Sequence, residues 1–324
     1  MQFSSLFFAA LMMYSIASIA YTYRWRGNTR YHSFSQYMRK SWPIFAPLNC
    51  LMFMSTRAWA RKSVLDAHYI KNIHLIRENW QIIRDEALAL QSSGAFEATK
   101  APGSVGYYDL GFRTFYKRGW SKFYLKWYGT THASAQRLCP KTVALLRQVP
   151  QIRGAIFSVL PAGSELTLHA DPMACSFRYH LGLATPNSDH CYINVDGVNR
   201  VWRDGKDFVF DETYPHYAHN NTESSRLIFM CDVDRPVTFI GRAVHSLYAF
   251  IAKATVVPNT DEDKRGVLSA VFCNLAPLRQ KTLALRATHY RTYKFLKFIL
   301  NSSLVGVILA IFYGGARALE ASIS

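Results

Sequence analysis

Residues 166–197 read LTLHADPMACSFRYHLGLATPNSDHCYINVDG, and residues 202–236 read WRDGKDFVFDETYPHYAHNNTESSRLIFMCDVDRP. Apolar and polar residues alternate with a period of two in Phe177–Ala184, Cys191–Gly197, Asp207–Glu212 and Arg226–Val233. Successive side chains of a strand point to opposite faces, so this period predicts short strands with differently lined faces. Pro186-Asn187, Asp196-Gly197 and Asn220-Asn221 carry turn chemistry between the runs. Many short strands joined by such turns predict a sandwich or barrel.

Three side chains in this stretch suit a hard-to-borderline metal: His169 and Asp171, spaced His-x-Asp, and His216, 45 residues past Asp171. Two imidazoles and one carboxylate on one face of Fe(II) leave cis positions open for a bidentate co-substrate and dioxygen. A lone His-x-Asp occurs by chance in many chains, and this one holds 11 histidines. What singles it out is the alternation around each ligand and the cation downstream. Arg226 opens an apolar strand ten residues past His216. A guanidinium fixed there forms a bidentate pair with a carboxylate, which suits 2-oxoglutarate. Asp211 and Glu212, just ahead of His216, either orient the ligands or form a polar turn that closes a strand.

The chain is similar to the aspartyl/asparaginyl β-hydroxylase family of Fe(II)/2-oxoglutarate dioxygenases, above all to its bacterial membrane-bound lipid A 2-hydroxylase branch. The resemblance rests on FRYHLGL (177–183), WRDG (202–205), FDETYPHYAHN (210–220) and SSRLIFMCDV (224–233). It extends upstream through KRGWSKFYLKWYG (117–129) and AQRLCPKTVALLRQVPQIRGAIFSVLP (135–161). It implies a mainly β fold, with a double-stranded β-helix (jelly-roll, cupin-like) catalytic domain and flanking helices. The cofactors it implies are Fe(II), with 2-oxoglutarate and dioxygen as co-substrates and ascorbate as an accessory reductant. His169 and His216 match the family's two iron histidines. Ser158 and Arg226 match the positions that hold the distal carboxylate of 2-oxoglutarate, Arg178 and His180 those near its metal-side carboxylate, and Trp127 a pocket-lining tryptophan. The animal branch has no carboxylate where Asp171 stands, so the resemblance leaves Asp171 open; the His-x-Asp spacing permits it as a third ligand.

The 324 residues allow one catalytic domain with appendages. Phe3–Tyr21 is a 19-residue run without charge, long enough to cross a bilayer, and its basic flank (Arg24, Arg26, Arg30, Arg39, Lys40) follows it. A cleaved signal peptide carries its charge ahead of the apolar run, so an anchor is expected. The second apolar run, Phe295–Tyr313, is preceded by Arg279, Lys281, Arg286, Arg291 and Lys294. It spans the membrane or lies on it, because Lys297, Asn301 and Ser302 sit within it. Both basic flanks put the middle of the chain on the cytoplasmic side. The net charge of +17 beside two apolar runs points to anionic lipid, with no nucleic-acid motif and no obligate protein partner in evidence. Six cysteines without CxxC spacing indicate neither a zinc site nor a disulfide framework.

The expected organisation is a transmembrane helix over 1–22, a basic juxtamembrane or interfacial segment over 23–69 and a dioxygenase domain over 70–237. A basic helical tail over 238–294 and a transmembrane or interfacial helix over 295–314 follow. Pro43–Met54 lies on the membrane or packs on the core. Ile73, Ile76, Trp80, Ile83, Ala87 and Leu90 make the stripe of an amphipathic helix. Residues 91–111 read as a loop, Pro140–Gln148 as a short helix, and the aromatic-basic run Phe112–Tyr128 as a phosphate clamp or a solvated edge strand. The expected activity is hydroxylation of a lipid A acyl chain at the 2-position on the cytoplasmic face of the bacterial inner membrane. Its rivals are an Asp/Asn protein hydroxylase, a hydroxylase of another membrane lipid, and a metal-free binding module.

Overall fold

The computed structural model describes residues 2–109, 111 and 116–323. Its strands are β1 (Val64–Leu65), β2 (Ser121–Trp127), β3 (Thr130–Thr131), β4 (Ile152–Leu160), β5 (Glu165–His169), β6 (Ser176–Ala184), β7 (Cys191–Val195), β8 (Val198–Val201), β9 (Asp207–Phe210), β10 (His216–Asn220) and β11 (Arg226–Asp234). From β4 onward the chain alternates between two antiparallel sheets. One has seven strands in the order β1-β9-β6-β11-β4-β2-β3, the other four in the order β5-β10-β7-β8. This two-sheet jelly roll is the mainly β architecture expected. The β7–β8 hairpin turns on Asp196-Gly197, whose φ values of 53° and 89° suit the primed two-residue turn that this dipeptide favours.

The period of two sorts the larger sheet into two faces. On its outer face Phe157, Phe177, Tyr179, Leu181, Leu227, Phe229, Cys231 and Val233 are buried in one cluster with residues of the covering helices. Those helices are α4 (Ile73–Glu78), α5 (Trp80–Ser92), α6 (Ala95–Lys100), α7 (Ala133–Leu138) and α8 (Pro140–Arg147); ahead of them in the chain come α1 (Gln2–Arg24), α2 (Phe34–Lys40) and α3 (Ala46–Ser55). On the inner face the alternate residues of the same strands, Ser158, Arg178, His180, Ile228 and Met230, turn toward the second sheet. Ile228 is buried there with Ile193, Val195, Phe210 and Ala218. One face therefore supplies stability, each fully buried large apolar side chain contributing about 1.5–3 kcal/mol. The other is free to carry chemistry.

Several local expectations change. The stripe over 73–90 is split at Asn79 into α4 and α5, with Ile73, Ile76, Ile83, Ala87 and Leu90 still buried. The loop expected over 91–111 contains α6, which buries Phe96 and Thr99. Phe112–Phe115 lie outside the described residues. The strand expected at a solvated edge, β2, is instead covered on both faces and flanked by β3, and its Lys122 is buried in an ion pair with Asp109 at 2.7 Å. Pro43–Met54 becomes a short 3-10 turn and α3, which buries Asn49, Cys50 and Met52 and leaves Leu51 and Met54 exposed.

The chain divides into two units. Ser18–Ala270 holds all the described strands; the described residues of Met1–Ala17 and Val271–Ser324 are mostly helical. Beyond β11 come α9 (Phe239–Lys253), α10 (Val267–Thr288) and α11 (Tyr290–Ile323). Among the described residues one helix, Leu6–Arg24, is long and apolar enough to cross a membrane. The second anchor expected, over 295–314, falls within α11, many of whose side chains there lie outside the described residues. The described cysteines are all free, and five of them are buried.

Candidate metal and co-substrate site

His169 ends β5 and His216 begins β10, and in the antiparallel pair β5/β10 the two are direct cross-strand partners. Their rings lie 4.2 Å apart between centroids. Asp171, two residues past the end of β5, is held by a backbone bond from its N–H to the Glu212 carbonyl (2.9 Å), which brings it back to the same spot. Ligand atoms of His169, Asp171 and His216 all lie within 4.8 Å of one another. A separation of 47 residues in sequence, from His169 to His216, is thus closed by strand register.

The imidazole tautomers follow from the bonds they make. His169 Nδ1–H donates to the Thr167 carbonyl and His216 Nδ1–H to the Tyr214 carbonyl, both at 2.9 Å. Each Nε2 therefore carries the lone pair, which is the arrangement of a metal-ligating histidine steadied by a backbone oxygen. Burial pushes both imidazoles down to about 4, with the neighbouring His216 adding to the effect on His169. Both are neutral at pH 7, so the donor set of two neutral nitrogens and a carboxylate fits a divalent iron.

Asp171 has a second commitment. One oxygen lies 3.6 Å from His169 Nε2, and the other accepts from Arg178 Nη2 at 2.9 Å. Arg178 is in turn gripped by Glu212 and by Asp232, the latter at 3.4 Å. Burial pulls against its charge, but the three carboxylates prevail and hold it well above the ordinary guanidinium value. Three acids around one buried cation carry an excess of negative charge. Burial raises Glu212 to about 8, only partly opposed by Arg178, and Ser176 Oγ–H donates to its other oxygen at 2.8 Å. Asp232, which occupies the register position opposite Arg178, is the member that sequence reading missed. Its signal was the inward phase of the alternation in β11.

A second cluster lies further along the inner face. Arg226 is buried, and its guanidinium makes a long contact of 3.5 Å from Nη2 to Ser158 Oγ. Among the described residues no carboxylate pairs with it; it lies over the rings of Trp202 (4.3 Å) and Trp120 (5.3 Å). Burial pushes it down to about 9. Trp202 Nε1–H donates to His180 Nδ1 at 3.2 Å, so the proton of His180 sits on Nε2, a buried donor without an acceptor among the described residues. His180 packs against Phe208 and Phe210, and Phe210 touches His216 (5.6 Å between centroids). A buried cation and a buried N–H, both short of acceptors, describe a receptor for an anion. Ser158, His180 and Arg226 are thus brought together near the triad, while Arg178 serves Asp171. Trp127 packs with Met230, whose sulfur Arg178 touches, and its Nε1–H is shared between the Ala252 carbonyl (3.1 Å) and Thr255 Oγ1 (3.0 Å).

The start of the chain packs beside the site. Arg26 donates to Asp211 (2.8 Å) and Thr213 (2.9 Å), and its guanidinium is sandwiched between Phe53 and Tyr214. Arg235 also pairs with Asp211, at 2.7 Å. Gly27, at φ +73°, lets the backbone lie against Asp196, where a Cβ would stand 2.5 Å from Oδ1. Asp196 then accepts from the N–H groups of Asn28 and Thr29. A cavity beside Asp171 is lined by Thr22, Arg26, Tyr31, Tyr37, Asn49 and Phe53 among others.

The family model for aspartyl/asparaginyl beta-hydroxylase matches residues 77–236. The chain is 33% identical over 173 residues to the human aspartyl/asparaginyl beta-hydroxylase, covering 52% of this chain and 22% of that protein. It is 32% identical over 127 residues to the ornithine lipid ester-linked acyl 2-hydroxylase of Rhizobium tropici, covering 39% and 45% respectively. The matches therefore span less than half the length of either relative. A crystal structure of a Pseudomonas putida prolyl-4-hydroxylase aligns with a TM-score of 0.34 and 17% identity, over 57% of this chain and 98% of that one. Residues 77–236, which take in both clusters of the inner face, match the aspartyl/asparaginyl β-hydroxylase family.

Proposed function

We propose that the chain is a membrane-bound Fe(II)/2-oxoglutarate-dependent hydroxylase acting at the 2-position of a lipid A fatty acyl chain, on the cytoplasmic side of a bacterial inner membrane. The observation that carries this reading is the cavity beside Asp171, whose wall includes Thr22 and Arg26 from the end of the apolar helix α1 and its flank. A substrate held in a bilayer alongside that helix has a short path to the triad. The net charge of +17 suits a bisphosphorylated head group.

Iron with 2-oxoglutarate and dioxygen supplies the hydroxylation of an unactivated C–H bond. The chain's own part is to bind, orient and exclude water. His169, Asp171 and His216 are the residues that would hold the metal, and Arg178 steadies Asp171. Arg226, Ser158 and His180 offer a cation and donors to the co-substrate's carboxylates, while Trp202, Phe208 and Phe210 keep that end dry.

A second reading, hydroxylation of a different acylated membrane lipid, is favoured by the Rhizobium tropici relative, whose name gives an ornithine lipid as substrate. Mass spectrometry of lipids from a Gram-negative host lacking the modification, with and without the protein, tests both. Lipid A heavier by one oxygen, with the hydroxyl at carbon 2 of an acyl chain, is the expected result. A shift in another lipid selects the second reading. Unchanged lipids under aerobic, iron-replete growth, with the protein present in the membrane, overturn both.

A further inference from the structure

Helix α9 wears its apolar side outward. Its inner face, Gly241, His245, Tyr248 and Ala252, packs toward the strands and α3: a Cβ on Gly241 would meet Val237 and Ser55 within 2.8 Å, and His245 pairs with Asp234 at 3.2 Å. The opposite stripe, Phe239, Ile240, Leu247, Phe250 and Ile251, is exposed, with Phe239 at 76% and Phe250 at 77%. A water-facing helix of a globular protein has the reverse polarity. The pattern is repeated next to it: α2 and α3, with the turn between them, expose Met38, Trp42, Ile44, Leu51 and Met54. Exposed apolar surface on this scale marks an interaction site.

Two observations identify what covers it. The first is continuity with the apolar helix. Thr22, near the end of α1, is bonded to Tyr37 of α2 through their hydroxyls at 2.6 Å, and Cys50 of α3 reaches the Ser18 carbonyl at 3.9 Å. Where α1 leaves a bilayer, α2 and α3 are therefore at the level of its surface. The second is charge. Residues 1–65 contain eight Lys and Arg and no Asp or Glu, and α9 has Arg242 and Lys253 and no acid. Exposed aromatic and aliphatic side chains rimmed by cations are the composition of a helix lying in an anionic membrane interface.

We propose that α9, with α2 and α3, forms a docking face that lies in the surface of an anionic lipid bilayer and holds the cavity beside Asp171 at head-group depth. This deepens the membrane-bound reading above and rests on α1 as a bilayer span. The cavity is lined by Tyr37, Asn49 and Phe53 of these same helices. An acyl chain would then have to rise only to the interface for its first carbons to meet the triad.

The test uses the full chain in vesicles containing anionic phospholipid, with nitroxide labels at Phe250→Cys and, independently, Leu247→Cys, in a Cys273→Ser background. A label at Glu223→Cys, on the exposed β10–β11 turn, is the reference. Collision of each label with dissolved oxygen is compared with collision with a water-soluble nickel chelate. The oxygen-to-nickel ratio is expected to be several-fold higher at 250 and 247 than at 223. Ratios equal to the reference overturn the proposal, since the stripe then faces water. Labels shielded from both reagents overturn it too, since a second copy or another part of the chain then covers the stripe. No turnover is involved, so immersed labels without lipid hydroxylation leave the face standing and remove the activity, and the converse result does the opposite.

Discussion

Replacing Arg226 by methionine should make the protein more stable and, on the function proposed above, less able to bind 2-oxoglutarate. The guanidinium is buried among Trp120, Trp202 and Ser158 with no carboxylate of the described residues paired to it, and burial lowers it from 12.5 to about 9. At about 1.4 kcal/mol per tenfold in proton affinity, keeping that charge in the fold costs roughly 5 kcal/mol. The sign follows from linkage: the unfolded chain holds this proton more tightly, so the cost grows as pH falls from 12.5 to about 9 and is complete at neutral pH. Stacking on the two indoles returns about 1–2 kcal/mol. The imperfect fit of methionine forfeits about 1 kcal/mol more. A net gain of about 2–3 kcal/mol corresponds to about 4–12 °C in Tm for a domain of this size. Thermal unfolding in detergent with a redox-inert divalent ion, with and without 2-oxoglutarate, measures both halves of the expectation. The wild type should gain about 2.7 kcal/mol at a hundredfold excess over its Kd, while the variant gains nothing. A variant that unfolds earlier than wild type in the absence of co-substrate would refute the idea that Arg226 is a charge kept for a ligand.

Other outcomes follow from the same geometry. His169→Ala and His216→Ala should each lose bound iron on gel filtration with the fold intact by circular dichroism, whereas iron retained by Asp171→Ala would assign that carboxylate to Arg178 alone. Arg26→Ala leaves buried Asp211 with only Arg235 and should cost about 3–5 kcal/mol, read by chemical denaturation. Phe229→Ala should cost about 3–5 kcal/mol while leaving the KM for 2-oxoglutarate unchanged, because its side chain lies on the helix-covered face. His132, held below 6.5 by burial with Nε2–H on the Val257 carbonyl, takes up a proton less readily in the fold than in the unfolded chain. Stability should therefore fall as pH drops below 6.5, by up to about 1.4 kcal/mol per pH unit from this group, and His132→Gln should flatten that loss.

What was legible in the sequence follows strand period. Alternation through Phe177–Ala184 and Arg226–Val233 put Arg178, His180 and Arg226 in one phase, and the structure has them on one inner face. The His-x-Asp spacing was equally readable, since a strand end and the next turn bring both side chains to one place. What escaped depended on partners far away in the chain. Lys122 looks like a solvated cation until Asp109 is known to meet it inside the fold. Asn79 splits α4 from α5 within a stripe that reads as continuous. Trp202 was visible in WRDG, but its role as the bridge between His180 and Arg226 needed the β7–β8 hairpin to carry it inward. Arg26 is the furthest case, because nothing near it announces Asp211, 185 residues on.

That last contact limits how the protein can be shortened. Cutting just past the apolar helix, at Gly27, is the obvious way to obtain a version that needs no detergent. It would delete Thr22 and Arg26 from the cavity wall and strip one of two cations from Asp211, which sits in the turn leading into His216. A trimmed protein of that kind would have a defect beside the candidate metal site, and a loss of the proposed activity would say nothing about whether the membrane is needed for it. Replacing the outward-facing apolar residues of α1 with polar ones, while leaving Ser18 to Arg26 untouched, separates the two questions.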